Sequence, residues 1–193
     1  MKPDLQDLLG RVWRSLEDAT ARRTPFTLGY LGTTDATQAP RVRAIILRGF
    51  DPDRGCLMFA THMASAKIEE IRLNPLVAVT VTDDDAALQL RMEGRAEIVG
   101  DPTERRVAWE SLASHTRHLY RSPLAPGTPV SEHQTSESER EAGRRDENAE
   151  FARFAWVRIQ LERLDWLDLS SPEHERCQFV REGPGWTGER VAP

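Results

Sequence analysis

The residues of this 193-residue chain best suited to chemistry are gathered in one short interval, residues 41–67. There the sequence places three cations, Arg43, Arg48 and Lys67, together with the hydroxyls of Thr61 and Ser65, where the strand segments RVRAIILRG and FAT run into the helix entrance MASAK. A strand pair that ends at a helix N-terminus offers backbone N–H groups, and with cations and hydroxyls beside them the set suits a terminal phosphate. The alternative is that Arg48 and Lys67 are solvated and that Ser65 only caps its helix. Other chemical signatures are absent: there is no GxGxxG, Walker, HExxH, G-x-S-x-G or paired-cysteine zinc pattern. His115 and His118 stand three apart on a helical stretch, but no Asp, Glu or Cys ligand set accompanies them, so no metal is assigned.

The elements that must position these groups can be read from periodicity. Leu5, Leu8, Leu9, Val12, Trp13 and Leu16 recur at helical steps and predict an amphipathic N-terminal helix over residues 4–19. From residue 24 onward β-branched and aromatic clusters alternate with turn signals, predicting strands within 24–34, 39–51, 56–61 and 76–82. Alternation in 41–47 puts Arg41, Arg43 and Ile45 on one face, and an arginine on a shielded sheet face usually answers an anion or a carboxylate. ASAKIEEIRL reads as a short helix ended by Asn74-Pro75, and Gly94 as a bulge or bend in a long strand over 88–99. A helix opens at Pro102. Residues 122–150 are rich in proline and then in charge, and read as a polar loop followed by a weak helix or mobile arm. The chain closes on a long strand and a hairpin turned at Gly183-Pro184-Gly185. Roughly six short strands with irregularly placed helices indicate a mainly β fold, a small antiparallel barrel with peripheral helices, built as a single domain over 1–193.

Composition narrows the function class. Hydrophobic residues make up 39% and charged residues 30% of the chain, enough for a core and too polar for a membrane protein. The net charge of −5 opposes a nucleic-acid partner, although local clusters of arginine can still hold a small anion. Cys56 and Cys177 lie in apolar surroundings and read as reduced thiols, and the N-terminus lacks the apolar run of a secretory signal, so a cytoplasmic location is expected. Of the 26 basic residues only Lys2 and Lys67 are lysines.

The order of segments resembles the FMN-binding split-barrel family typified by pyridoxamine 5'-phosphate oxidase. The matching pieces are RVRAIILR at 41–48, FATHMASAK at 59–67, QLRMEGRAE at 89–97, and Trp166 followed by His174 and Arg176. The resemblance spans about residues 20–180. It implies a split β-barrel, FMN as cofactor and a homodimer with cofactor sites at the subunit interface. By the same resemblance Arg43 contacts the flavin phosphate or ribityl region and Arg48 lies near flavin or substrate. Thr61, Ser65 and Lys67 belong to the phosphate cradle, and Gln89 reaches the isoalloxazine from the neighbouring strand. Trp166 and Arg176 come from the second subunit. For Trp166 ordinary interface packing is the competing reading. His174 is a candidate for substrate contact or proton handling, with a plain surface histidine as its alternative.

This chain also departs from the family pattern. Ala66 stands where relatives often carry an arginine. Trp109 and Leu112 stand near the places of the oxidase's substrate-phosphate tyrosine and arginine, and Pro172-Glu173-His174 replaces its R-x-H. Losing bidentate arginine contacts removes much of the affinity for a phosphate dianion, which argues against pyridoxamine or pyridoxine 5'-phosphate as substrate. The expected activity is an FMN-dependent oxidoreduction of an unidentified small molecule. A non-catalytic flavin carrier or sensor is the second reading, and a haem- or deazaflavin-using barrel the third.

Overall fold

The structure is a computed structural model that describes residues 4–130 and 146–193. Asp4 caps helix α1 (Leu5–Ala21) by accepting from the Gln6 N–H at 3.1 Å, and the helix runs two residues past the boundary expected from periodicity. Its leucine face, Leu8, Leu9, Val12 and Leu16, is buried in the main core. Strands β1 (Leu28–Thr34), β2 (Pro40–Asp51) and β3 (Cys56–His62) follow, then α2 (Ala66–Leu73), β4 (Leu76–Asp83) and β5 (Leu88–Ile98). After α3 (Pro102–Ser111) and the single turn α4 (Ser114–Arg117) come α5 (Glu147–Arg153), the long strand β6 (Phe154–Asp168), and the hairpin β7 (Glu175–Glu182) and β8 (Gly185–Val191).

Every pairing is antiparallel, in the order β3-β2-β1-β4-β5-β6-β7-β8, and β3 also pairs with β6 from Cys56↔Gln160 to His62↔Phe154. That second seam closes six strands into a barrel and leaves β7–β8 as an extension beyond it. The barrel of about six strands expected from the sequence is present, and the expected closing hairpin forms β7–β8 beyond it, turned at Gly183 and Pro184. Inside the barrel Leu31, Leu47, Leu57, Phe59, Val81, Leu90 and Leu161 are each at most 1% exposed. A smaller aromatic cluster forms outside it, with Trp109 edge-on to both Tyr120 and Phe154 and Trp156 stacked on Phe154. Of the expected polar arm over 122–150, residues 131–145 lie outside the described residues, and the last four begin α5, capped by the Asp146 carboxylate.

The expected bulge at Gly94 is present: Glu93 faces Arg163 while Gly94 faces Leu161, leaving Glu162 as the extra residue. A Cβ on Gly94 would meet the Gln160 carbonyl oxygen at 2.1 Å, and that backbone belongs to the seam that shuts the barrel. Replacing Gly94 by Ala should therefore cost about 2 kcal/mol or more of unfolding free energy. Urea unfolding monitored by tryptophan fluorescence will read this as a lowered midpoint at unchanged slope.

Candidate functional site

The strongest cluster of polar side chains sits at the rim of the barrel where α2 crosses it. Ser65 occupies the position before the first helical turn, yet its hydroxyl does not cap the helix; it accepts instead from Lys67 Nζ at 2.7 Å. Thr61 Oγ1, at the end of β3, accepts from the same ammonium at 3.0 Å. Burial pushes the Lys67 ammonium below the usual lysine range, the nearby Arg43 guanidinium pushes it the same way, and Glu70 acts in opposition. Among the described residues no carboxylate lies within ion-pair distance of Lys67. A half-buried cation held by two neutral hydroxyls retains attraction for an external anion.

Arg43 lies one layer further in. It points to the same side of β2 as Ile45 and Leu47, as alternation requires. Its Nη2 donates to Glu70 Oε2 at 2.6 Å and its Nη1 to Thr33 Oγ1. Thr33 Oγ1 in turn donates to the same carboxylate oxygen at 2.5 Å. Thr33 and Glu70 are 5% and 7% exposed, so the acceptor side of this ion pair is buried between α2 and the barrel wall while Arg43 keeps partial access to solvent. Arg48 projects from the opposite face of β2 and is exposed. It joins Thr61, Lys67, Ala44, Ile46, Ala60, Leu119 and Tyr120 around a cleft of about 240 Å³. Burial drives the Tyr120 phenol up to about 12, against the opposing pull of Arg48, so it stays a proton donor across the physiological range. His62 lies parallel to the Tyr120 ring at 6.5 Å. Its Nδ1 accepts from the Ala64 N–H at 3.0 Å, and burial followed by Arg153 lowers its proton affinity.

The remaining predicted residues are elsewhere on the chain. Leu167 of β6 is opposite both Gln89 of β5 and Arg176 of β7, so Gln89, Leu167 and Arg176 form one row on the outer face. Gln89 therefore groups with Arg176 along this row and lies away from the β2–β3 cradle within one chain. Trp166 pairs with Leu90 and Cys177, turns to the opposite face and is 6% exposed in the core. Arg176 is clamped by Asp165 through Nε to Oδ1 at 3.0 Å and Nη2 to Oδ2 at 2.7 Å. Burial alone would raise the Asp165 carboxyl, but hydrogen bonds from Arg176, Gln178 and Arg91 hold it well below the usual range. His174 is exposed in the β6–β7 turn at φ 40°, near Arg176 in sequence and remote from the cradle. Thr61 is opposite Ala155 on β6, and Trp166 lies eleven residues further along, about 35 Å of strand.

Sequence reading missed Thr33, Glu70 and Tyr120. Glu70 had one available signal, an acid on the helical face that also carries Ile71 and Ile68; Tyr120 had none, because nothing local ties it to β2. Conversely, Trp109 and Leu112 are 0% and 6% exposed and belong to the aromatic cluster.

Residues 17–163 match the family described as Pyridoxamine 5'-phosphate oxidase. The chain belongs to that family. It is 25% identical over 173 residues to pyridoxine/pyridoxamine 5'-phosphate oxidase 2 of Arabidopsis thaliana, covering 84% of this chain and 85% of that protein. Among solved structures, a pyridoxamine 5'-phosphate oxidase-related, FMN binding protein from Nostoc punctiforme PCC 73102 aligns over 100% of both chains, with a TM-score of 0.81 at 20% identity. PhzG from Burkholderia lata 383, in complex with tetrahydrophenazine-1-carboxylic acid, covers 99% of this chain and 94% of its own with a TM-score of 0.75 at 19% identity. These structural likenesses establish the barrel of the pyridoxamine 5'-phosphate oxidase family in this chain.

A group that disfavours its own charge is retained at a cost in stability. Lys67→Met should leave the ligand-free protein at least as stable as the parent, or up to about 1 kcal/mol more stable, because it removes a half-buried cation that touches no carboxylate among the described residues. Thermal unfolding of both proteins in phosphate-free buffer measures this. A clear destabilisation would mark Lys67 as a structural strut.

Proposed function

We propose that this member of the pyridoxamine 5'-phosphate oxidase family binds FMN between two copies of the chain and is an FMN-dependent oxidoreductase acting on a small molecule. The observation that carries the reading is Lys67, a half-buried ammonium held by Thr61 and Ser65 at the first turn of α2 with no carboxylate in contact among the described residues. The residues present fit a phosphate: beside Lys67 stand the first N–H groups of α2, which have no partner within the helix, and the remaining donors of Arg43. Ala66 adds nothing, so the cradle is lighter by one cation than in relatives with arginine there. When bound, flavin supplies the redox chemistry. The chain orients the phosphate through Lys67 and offers Arg48 and the protonated Tyr120 to whatever occupies the adjoining cleft.

Two observations support a second copy. Within one chain the cradle and the Gln89–Arg176 row are separated by twelve residues of β6, about 40 Å of strand, which favours a second chain bringing the other set to one cofactor. The outer face of β1 and β2 also leaves Leu28, Tyr30, Val42 and Ile46 at 42%, 47%, 71% and 38% exposure. Register places Leu28 beside Ile46, Tyr30 beside Ala44 and Gly32 beside Val42, so these residues form one continuous strip. Leu28, Ala44 and Ile46 of that strip also wall the cleft containing Arg48 and Lys67, so a copy seated there would cover the site.

Pyridoxine 5'-phosphate is disfavoured as the substrate. Trp109 and Leu112 are committed to the aromatic core and offer the cleft no cation.

The purified protein should be yellow and rebind one FMN per chain after removal of the cofactor; a colourless protein that does not quench FMN fluorescence would refute the assignment. Lys67→Ala should weaken FMN binding by about 1–3 kcal/mol, the scale of one charge-assisted contact. Val42→Glu, at the most exposed position of the apolar strip, should yield monomers in sedimentation analysis that have lost FMN affinity while keeping the parent circular dichroism spectrum. Rapid flavin reduction by a donor or substrate distinguishes an enzyme from a carrier.

A further inference from the structure

Glu70 stands out among the acids because it is 7% exposed and faces a binding site that calls for an anion. A carboxylate in such a place repels the phosphate it adjoins unless it has another task. Its contacts show one: Oε2 accepts from Arg43 Nη2 at 2.6 Å and from Thr33 Oγ1 at 2.5 Å, while Thr33 Oγ1 also accepts from Arg43 Nη1. The three side chains close a ring between α2, β1 and β2. A guanidinium held through both terminal nitrogens cannot rotate, and its unused N–H groups are left in a fixed direction.

The second part of the task concerns Lys67, which is one turn from Glu70 on the same helix. Among the described residues the groups around that ammonium are Arg43 and Arg48 from β2, Thr61 and His62 from β3, Ser65 at the entrance to α2, Glu70 from α2 itself and Tyr120 from the turn after α4. Glu70 is the one carboxylate in the set. Arg43 and burial both favour loss of the Lys67 proton, and Glu70 opposes them.

We propose that Glu70 is the positioning residue of the anion cradle: it fixes the direction of Arg43 and supplies the countercharge that lets two cations, Arg43 and Lys67, share one partly buried site. This rests on the reading of the cradle as an FMN phosphate site, yet part of it can be tested without FMN. Glu70 touches neither cofactor nor substrate in this scheme and acts only through the two cations.

Because Lys67 and Lys2 are the only lysines, 13C-lysine labelling gives two ε-methylene signals, and Lys67→Arg identifies which is which. In the full-length protein freed of bound small molecules, Glu70→Gln should move the Lys67 titration midpoint down by at least about half a pH unit, since a nearby opposite charge has been removed. An unchanged or raised midpoint overturns the countercharge role. With FMN, Glu70→Gln should weaken binding about 5- to 10-fold at pH 7, and the alkaline loss of affinity should begin at lower pH than in the parent. In an Arg43→Ala background the same substitution should change the dissociation constant less than about twofold, because the group it orients is gone. Equal weakening in both backgrounds overturns the positioning role. If Glu70→Gln fails to fold, Glu70→Asp keeps the charge and withdraws it by one methylene: the Lys67 midpoint should stay near the parent's while FMN affinity falls, and parental affinity overturns the proposal. A parent protein that binds no FMN sinks the cofactor assignment alone, while the Lys67 titration still decides whether Glu70 is its countercharge.

Discussion

Closure of the barrel through the β3–β6 seam is the constraint on which the remaining geometry depends. Seven consecutive residue pairs, Cys56↔Gln160 to His62↔Phe154, join strands about a hundred positions apart in sequence. The first half of β6 is therefore flanked by β3 as well as β5, and only beyond the bulge at Gly94 does its second half become free to pair with β7. One strand thus has two jobs. Its beginning holds the end of β3, and with it Thr61 and the entrance to α2; its end carries Trp166 and the partners of Arg176.

Electrostatics in this arginine-rich chain follow a division of labour. Most of the described arginines are matched to carboxylates, among them Arg41 to Asp35, Arg121 to Glu150, Arg158 to Glu97 and Glu104, and Arg176 to Asp165. These pairs tie neighbouring strands and helices together, and those that are solvent-exposed contribute little each. The cradle differs because its lysine is held by hydroxyls. An ammonium gives up more hydration than a guanidinium when buried, so placing lysine there leaves a site less satisfied in itself and correspondingly more receptive to an anion.

Local signals in the sequence were good guides to elements and poor guides to their meeting. The helical period of Leu5 to Leu16, the alternation around Arg43, the Asn74-Pro75 stop and the bulge at Gly94 all follow from residue-to-residue chemistry, and the structure has each of them. The cluster Thr61, Ser65 and Lys67 was legible for the same reason, being six residues across one strand-to-helix junction. What escaped were contacts set by closure. Thr33 and Glu70 are 37 residues apart and Tyr120 reaches the cleft from a turn after α4, so nothing local announces that they meet the site, although Glu70 stands on a buried helical face. The two faces of β6–β7 were also hidden, since a ten-residue interval through a turn does not reveal that Trp166 points inward while Arg176 points out.

The exposed strip of Leu28, Tyr30, Val42 and Ile46 has a consequence in mass action. Apolar surface left in water favours association at roughly 25 cal/mol per Å² covered, before the cost of immobilising two chains is subtracted. Since the same strip walls the Lys67 cleft, association at it and ligand occupancy of that cleft would be linked functions, each raising the apparent affinity of the other. Cofactor loading would then depend on how much of the protein a cell contains as well as on how much cofactor it contains.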